Sequence, residues 1–353
     1  DITSAGALVL PVDITNVGNL TLTSGATSQP AAPFTINGNL FVTGNGNSFT
    51  ANAANNLTIT GDAVARDQGI INLTGGAAAN ITIGGQLGVG AELGSGNLGT
   101  ITTAVTTNLI VAGNGEQLQL PAQDPATPAT PRDLGKLIIN RPSGARLNSN
   151  LNVGVANEES LVLNSGTLDL NGFNATVITN AKIKENNGNF VTNTGAYLYH
   201  ATTPKGALIY TAAHTADAIT SGIGIKSSDN TTDIVGAVVR YPKTIPIEGI
   251  GLSVGRVYQL PVVVDNDKYV EFEYGLAELR GDQSGLDIFY GKGVGGGLPV
   301  YSQPQIVDIT RTAALDNRLG SVKFTSRNTG RTNGGTYAAP AANDIFVIAG
   351  LPG

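Results

Sequence analysis

The chain repeats the phrase Gly18-Asn19-Leu20-Thr21-Leu22-Thr23 through its first half. Related phrases begin at Gly38, Asn55, Asn72, Asn80, Gly96 and Thr107. The asparagines at positions 19, 39 and 56 lie 20 and then 17 residues apart. A repeat of this length, with apolar and polar residues alternating between Gly and Asn turns, is typical of one coil of a β-solenoid. Each coil buries its apolar side only by stacking on the next coil, so the phrase predicts a rod.

The composition favours an all-β protein. Charged residues make up 13% of the 353 residues, and glycine supplies 47 of them. No long stretch has the i, i+3, i+4, i+7 apolar spacing of an amphipathic helix. The best helix candidate is the short segment from Thr310 to Ser321.

A change in composition predicts a domain boundary near residues 195–205. All ten tyrosines lie at or beyond Tyr197, and the 27 charges of residues 200–353 contrast with seven in residues 1–120. We therefore expect a β-solenoid over residues 15–199 and a second domain over residues 200–353. Evenly spaced strands with Gly, Asp and Asn turns predict that the second domain is a β-sandwich or jelly roll. The expected strands are Ala207–Thr211, Ile234–Tyr241, Leu252–Leu260, Val262–Asp265, Lys268–Tyr274, Leu286–Tyr290, Gln305–Thr310 and Asp344–Ala349.

A proline-rich stretch at residues 121–134 interrupts the repeats. Pro121, Pro125, Pro128 and Pro131 lie within eleven positions of one another. Proline has no backbone N–H and a fixed φ, so these residues cannot form a ladder strand. The stretch predicts an excursion from the rod, available for a lateral contact.

Residues 1–14 predict an N-terminal strand with a role in assembly. Leu8, Leu10, Val12 and Ile14 alternate with other residues and would share one face of an extended strand. An exposed apolar strand tends to pair or aggregate unless other residues bury it. Two interpretations stay open: the strand caps its own rod, or a neighbouring copy receives it as a donor strand.

The segment Leu161–Val177, LVLNSGTLDLNGFNATV, resembles the repeat of large secreted surface proteins of Bacteroidota and of autotransporter-type passengers. The resemblance covers about residues 15–180. It implies a cell-surface β-helix or adhesin, and no catalytic residue is carried over from these families.

Asp62, Arg66 and Asp67 form the one charge cluster of the first 120 residues. Carbohydrate-cleaving β-helices carry acidic and basic groups on one face of neighbouring coils, so a site here is conceivable. A turn with a local ion pair explains the cluster better, because no histidine precedes position 200.

Asp265, Asp267 and Glu271 are the candidate metal ligands. Their oxygens suit Ca²⁺, but the spacing lacks the glycine and distal glutamate of a calcium loop. A hairpin turn at 265–267 is the preferred interpretation, so we expect no cofactor and keep Ca²⁺ as the alternative.

Other chemical motifs are weak. The glycine-rich segment 291–297 is followed by extended sequence, whereas a phosphate loop must open a helix. His200 and His214 have no nucleophile nearby in sequence, and the chain contains no cysteine. The sequons at Asn19, Asn56, Asn72 and Asn80 belong to the repeat, where stacked asparagines can form ladders between coils. We therefore expect no catalytic residue and no enzyme activity.

The net charge and the first residue of the chain bear on the partners and the location of the protein. The net charge is −6, which argues against nucleic acid and against anionic membrane surfaces. No apolar run has the ~20 residues that span a bilayer. The start at Asp1 rather than methionine predicts a secreted, extracellular or cell-surface chain from which a signal was removed, although a trimmed chain would look the same.

These observations predict a structural subunit of an extracellular filament or a stalk-like surface adhesin. Its main partners would be copies of itself, joined through β-strand contacts, with surface glycans as a further class. The alternative function is a carbohydrate-binding or polysaccharide-cleaving β-helix of the tailspike type.

Overall fold

The computed structural model describes the following residues: 2–5, 8–74, 79–90, 98–127, 129–178, 180–192, 204–211, 222–227, 237–243, 246–247, 251–259, 269–275, 286–291, 311–316, 319–325 and 345–350. The chain divides into two compact units, Asp1–Asn193 and Thr194–Gly353. Within the described residues every regular element is a strand, so the all-β prediction is confirmed there. None of the described residues forms a helix that could cross a membrane.

The first unit is a β-solenoid whose parallel strands lie on three faces, here called A, B and C. Face A holds β1 (Ile2–Ala5), β4 (Leu20–Ser24), β7 (Leu40–Thr43), β10 (Ala63–Arg66), β13 (Leu87–Gly90), β16 (Leu118–Leu120), β19 (Ala145–Leu147) and β24 (Gly188–Val191). Face B holds β2 (Leu8–Val9), β5 (Ala26–Ser28), β8 (Ser48–Thr50), β11 (Ile70–Asn72), β14 (Thr100–Thr102), β17 (Arg132–Leu134), β20 (Leu151–Val153) and β22 (Ala175–Val177). Face C holds β3 (Asn16–Val17), β6 (Phe34–Ile36), β9 (Leu57–Ile59), β12 (Asn80–Ile83), β15 (Asn108–Val111), β18 (Lys136–Asn140), β21 (Glu159–Asp169) and β23 (Lys182–Glu185).

The chain visits the faces in the order A, B, C and makes about seven turns. The long strand β21 passes from face C, where it pairs with β18 and β23, to face A, where it pairs with β19 and β24. The β-helical repeat implied by the sequence is therefore present.

The predicted period of 17–20 residues is wrong for most coils. Ile2 pairs with Leu20, 18 positions away, whereas Ile70 pairs with Thr100, 30 positions away. Asn39 precedes a face A strand and Asn56 precedes a face C strand, so the 17-residue step joined two different corners. The phrase recurs at both corners because β4 on face A and β9 on face C begin alike, with a buried leucine followed by a half-buried threonine.

Apolar residues stack in register inside the coils. On face C, Leu57, Ile81, Leu109, Leu137 and Leu161 form one column and are each at most 1% exposed. Complete burial of such a side chain stabilises the fold by ~1.5–3 kcal/mol. Because this energy comes from stacking neighbours, each coil depends on the coils above and below it.

The described residues of the second unit form antiparallel strands in two sheets. One sheet has the order β25 (Leu208–Tyr210), β27 (Val238–Tyr241), β29 (Gly251–Gln259), β34 (Ile345–Gly350), β31 (Leu286–Gly291), and β28 (Pro246–Ile247) also pairs with β29. The other has the order β26 (Ile225–Ser227), β30 (Tyr269–Gly275), β33 (Leu319–Thr325), β32 (Arg311–Asp316). The expected strands 262–265 and 305–310 lie outside the described residues, and the β-sandwich stays a prediction.

The helix candidate at Thr310–Ser321 is wrong. Residues 311–316 form β32, which pairs antiparallel with β33. A short segment of moderate helix propensity yields to the ladder that its neighbour offers, since tertiary context overrides propensity.

The N-terminal segment is not one continuous strand. β2 ends at Val9, and a turn follows in which the N–H of Ile14 donates to the carbonyl of Pro11 at 3.1 Å. Leu10 is 4% exposed and Val12 is 57% exposed, so the four predicted residues do not share a face. β1, β2 and β3 pair within the chain with β4, β5 and β6, and form the first coil.

The proline-rich stretch leaves the solenoid only in part. Pro121 and Ala122 are buried, and residues 132–134 form β17 on face B. Asp124 begins a turn in which its side chain accepts bonds from the N–H of Ala126 at 2.9 Å and from the hydroxyl of Thr127 at 2.9 Å. The predicted lateral contact stays a prediction.

Candidate functional site

A polar ladder runs along the corner where face C leads into face A. The side-chain oxygen of Asn19 accepts the N–H of Asn39 at 2.8 Å, and Asn39 accepts the N–H of Asp62 at 2.7 Å. Asp62 accepts the N–H of Gln86 at 2.8 Å, and Gln86 accepts the N–H of Gln119 at 3.0 Å. Each bond satisfies a backbone donor of the next coil, which fixes the register between coils.

Asparagine ladders also occur at the corner where face B leads into face C, and further along the C-to-A corner. Asn56 accepts the N–H of Asn80 at 2.9 Å. Asn164 donates to Asn140 at 2.7 Å, and Asn186 donates to Asn164. The interpretation of repeat asparagines as ladder residues therefore fits Asn19 and Asn56.

We expect the carboxylate oxygen of Asp62, rather than its charge, to matter for the ladder. Asp62→Ala leaves the N–H of Gln86 without its acceptor and should lower the free energy of unfolding by ~1–2 kcal/mol. Asp62→Asn keeps an acceptor oxygen and should cost less than ~0.5 kcal/mol. Urea unfolding followed by circular dichroism measures both values, and equal losses would contradict a hydrogen-bonding role.

Arg132 is buried inside the solenoid and is 1% exposed. Its Nε donates to the carbonyl of Pro121 at 2.9 Å, and its Nη2 donates to the carbonyls of Ile101 at 3.1 Å and Ala122 at 2.9 Å. Its Nη1 donates to the hydroxyl of Thr103 at 3.3 Å. Burial lowers the pKa of Arg132 to about 10, so the guanidinium stays charged at neutral pH and the carbonyl dipoles stabilise it.

Arg141 binds carbonyls from two neighbouring coils at the C-to-A corner. Its Nε donates to the carbonyl of Ala112 at 2.8 Å and its Nη1 to that of Glu116 at 2.9 Å. Its Nη2 donates to the carbonyls of Gly84 and Gly85. Burial lowers the pKa of Arg141, and the negative charge of Asp62 in the ladder offsets this lowering in part. Sequence reasoning missed both arginines, because an isolated cation gives no sign of its burial.

The predicted charge cluster does not converge on one point. Asp62 immediately precedes β10 and belongs to the ladder, whereas Asp67 immediately follows β10. A four-residue strand spans ~13 Å, which exceeds the ~5–9.5 Å between the two carboxyl groups of a glycosidase. The two carboxylates therefore flank β10 at its opposite ends, and the absence of a catalytic site stays a prediction.

Arg66 lies over an aromatic ring on the outside of face A. Its guanidinium carbon is 5.5 Å from the centroid of the Phe41 ring. Arg66 is exposed and Phe41 is half-buried. The local ion pair that we expected for the cluster stays a prediction.

The backbone that follows Arg66 is left-handed at two residues that are not glycine. Asp67 has a φ of 49° and Gln68 a φ of 68°. Such residues cost ~1–3 kcal/mol each and cluster at functional sites. The next residue must be glycine, because a Cβ at Gly69 would lie 2.4 Å from the carbonyl oxygen of Val42.

Several predicted site residues cannot be placed. Asp265, Asp267, His200 and His214 lie outside the described residues, and only the backbone of Glu271 is described, within β30. The described part of the chain holds no group of three or more His, Cys, Asp or Glu side chains that could bind a metal ion. The calcium alternative and the glycine-rich segment 291–297 stay untested.

The first coil has open edges. Within the described residues, β1, β2 and β3 each pair along one edge only, with the second coil. Val9, next to these edges, is 87% exposed, and Val12 is 57% exposed. Unpaired strand edges with apolar neighbours are a template for pairing with another chain.

Comparison with known protein families, with curated proteins and with solved structures gave no match. The relation to Bacteroidota surface proteins or autotransporter passengers therefore stays a prediction, and only the β-helical repeat that it implies is present.

Proposed function

We propose that the protein is a structural subunit of an extracellular filament or surface stalk, in which copies join through the first coil of the solenoid. The observation that carries this proposal is the open edge of β1, β2 and β3 beside the exposed side chains of Val9 and Val12.

Stacking is the interaction on which the whole solenoid is built. Parallel pairing, apolar columns and side-chain ladders join each coil to the next. The outer edge of the first coil offers the same backbone groups to a further strand, so a second copy can extend the stack without a new type of contact. A contact between two different surfaces of identical chains gives a filament when the rotation between copies does not close a ring.

Charge at the open edge should prevent this assembly. Val9→Lys combined with Val12→Lys places two cations beside the unpaired strands, a device by which natural edge strands avoid pairing. We expect the unaltered chain to sediment as polymers and the double variant as a monomer with the same circular dichroism spectrum. Sedimentation velocity and negative-stain electron microscopy measure the difference.

The matched control is Val105→Lys, because Val105 is 53% exposed but lies between β14 and β15, away from the first coil. It should assemble as the unaltered chain does. Deleting residues 1–14 is a poorer test, because it removes β1 and β2 and exposes the edges of β4 and β5 instead. A monomeric unaltered chain, or equal assembly of the double variant, would contradict the proposal.

Carbohydrate binding is the second candidate function, and the exposed Arg66 over Phe41 is the observation that favours it. Cleavage receives no support from the distance between Asp62 and Asp67. Binding by an adhesin and assembly into a stalk are compatible functions of one chain.

A further inference from the structure

Arg66 is an unusual cation in this chain. It is the only lysine or arginine of residues 1–131, and it is exposed on face A. Other described cations of the solenoid have polar partners: Lys136 pairs with Glu158, Arg146 with Asn171 and Lys184 with Glu159, and Arg132 and Arg141 donate to backbone carbonyls. The Phe41 ring is the side-chain contact recorded for Arg66 in the described part of the chain. Arg66 is exposed, so a ligand in solvent can reach its side chain.

The aromatic ring holds the guanidinium in place. The ring quadrupole attracts a cation over the aromatic face, even at an exposed site. A guanidinium fixed in this way needs less ordering when a ligand binds, and its N–H groups match both oxygens of a carboxylate. The arrangement favours a carboxylate ligand over a neutral one.

The surroundings of Arg66 favour hydroxyl groups on the same ligand. Asp67 accepts the hydroxyl of Thr43 at 3.2 Å, and its negative charge lies one residue along the chain from Arg66, which disfavours densely charged phosphates. Gln68 is exposed and offers an amide. On the next coil, Gly88 pairs with Val64 and carries no side chain, so a ring-shaped ligand can approach the backbone there.

We propose that Arg66, Phe41, Asp67 and Gln68 form a binding site for a uronic acid residue of an acidic saccharide. The guanidinium of Arg66 donates hydrogen bonds to the carboxylate of the sugar. Asp67 and the amide of Gln68 hydrogen-bond its hydroxyl groups. The site is independent of assembly through the first coil, because it lies on the outer surface of face A at the third to fifth coils.

The test is calorimetric titration with trigalacturonate and, in parallel, with its fully methyl-esterified form. The ester keeps the sugar rings and removes the carboxylate charges. We expect the acid to bind and the ester to bind at least about tenfold more weakly, a loss of ~1.4 kcal/mol. Arg66→Gln should weaken binding of the acid by about tenfold or more, and Arg66→Lys by less, since lysine keeps the charge without the bidentate geometry.

The control is Lys182→Gln, which removes one positive charge from a half-buried residue of β23 on face C. It should change the affinity by less than about twofold, because long-range charge effects are screened by salt. Equal weakening by Arg66→Gln and Lys182→Gln would overturn the proposal, as would equal affinity for acid and ester. So would the lack of binding at ligand concentrations of about 10 mM, a weak-affinity limit corresponding to about −2.7 kcal/mol. Unchanged sedimentation of Arg66→Gln distinguishes loss of this site from loss of assembly.

Discussion

Replacing Arg132 with methionine is expected to lower the free energy of unfolding of the solenoid by ~3 kcal/mol or more. The guanidinium satisfies the carbonyls of Ile101, Pro121 and Ala122 and the hydroxyl of Thr103, all at or below 3.3 Å. Methionine fills much of the volume but donates no hydrogen bond. Each buried acceptor left unpaired costs ~1–3 kcal/mol, although solvent can relieve some of them.

The result is not obvious from charge alone. Removing a buried ion pair and replacing it with apolar residues is often neutral or stabilising, because the desolvation penalty disappears with the charges. Here the partners of Arg132 are backbone carbonyls, which no substitution removes. The loss of donors should therefore outweigh the relief of desolvation.

Hydrogen exchange measured by mass spectrometry locates the effect. In Arg132→Met, the amides of β14, β16 and β17 should exchange faster than those of β4 and β7, which lie coils away. The control is Lys184→Met, because the side chains of Lys184 and of its partner Glu159 are 44% and 50% exposed, so its loss should cost less than ~1 kcal/mol. Equal losses of unfolding free energy in the two variants would show that the hydrogen bonds from Arg132 to the backbone carbonyls contribute little to stability.

The sequence could predict the solenoid because its pattern is local. Leu20 and Leu22 point inward and Thr21 points outward, as alternation requires of any strand. The same alternation predicted β30, where Phe272 and Tyr274 are buried. Such elements need no information about distant residues.

Coil length could not be predicted, because it depends on loops between the strands. The step from Ile70 to Thr100 is 12 positions longer than the step from Ile2 to Leu20, yet both link strands on neighbouring coils. Insertions at a corner leave the stacked strands unchanged, since loops are tolerated at modest entropic cost. A fixed period is therefore a poor guide to register in this chain.

The candidate site was predicted only in part. Asp62, Arg66 and Asp67 stood out as rare charges, but their separate roles follow from contacts across coils. Asp62 binds the N–H of Gln86, and Arg66 lies over Phe41, 24 and 25 positions away respectively. The hydrogen bonds of Arg132 were missed for the same reason, since its acceptors lie on β14 and on the segments that follow β14 and β16, which the sequence pattern does not bring together.

Gly166→Ala is expected to have the other large effect, a loss of several kcal/mol. Gly166 lies where β21 passes from face C to face A, and its φ is 72°. A Cβ there would lie 2.1 Å from the carbonyl oxygen of Arg141 and 2.7 Å from the backbone N of Gly144, so backbone rather than a pliable side chain must move. The left-handed conformation alone costs a non-glycine residue ~1–2 kcal/mol.

Two other glycines separate the contributions of strain and contact. Gly46 has a φ of 79° with no atom within 4 Å of an added Cβ, so Gly46→Ala should show the conformational cost alone, ~1–2 kcal/mol. Gly115 has neither feature, so Gly115→Ala should stay within ~0.5 kcal/mol of the unaltered chain. Urea unfolding of the three variants should rank Gly166→Ala as the least stable and Gly115→Ala as the most stable. If Gly166→Ala lowered the free energy of unfolding no more than Gly46→Ala does, the close backbone packing at this corner would add nothing to the cost of the substitution. The need for glycine in β21 would then depend on its φ alone.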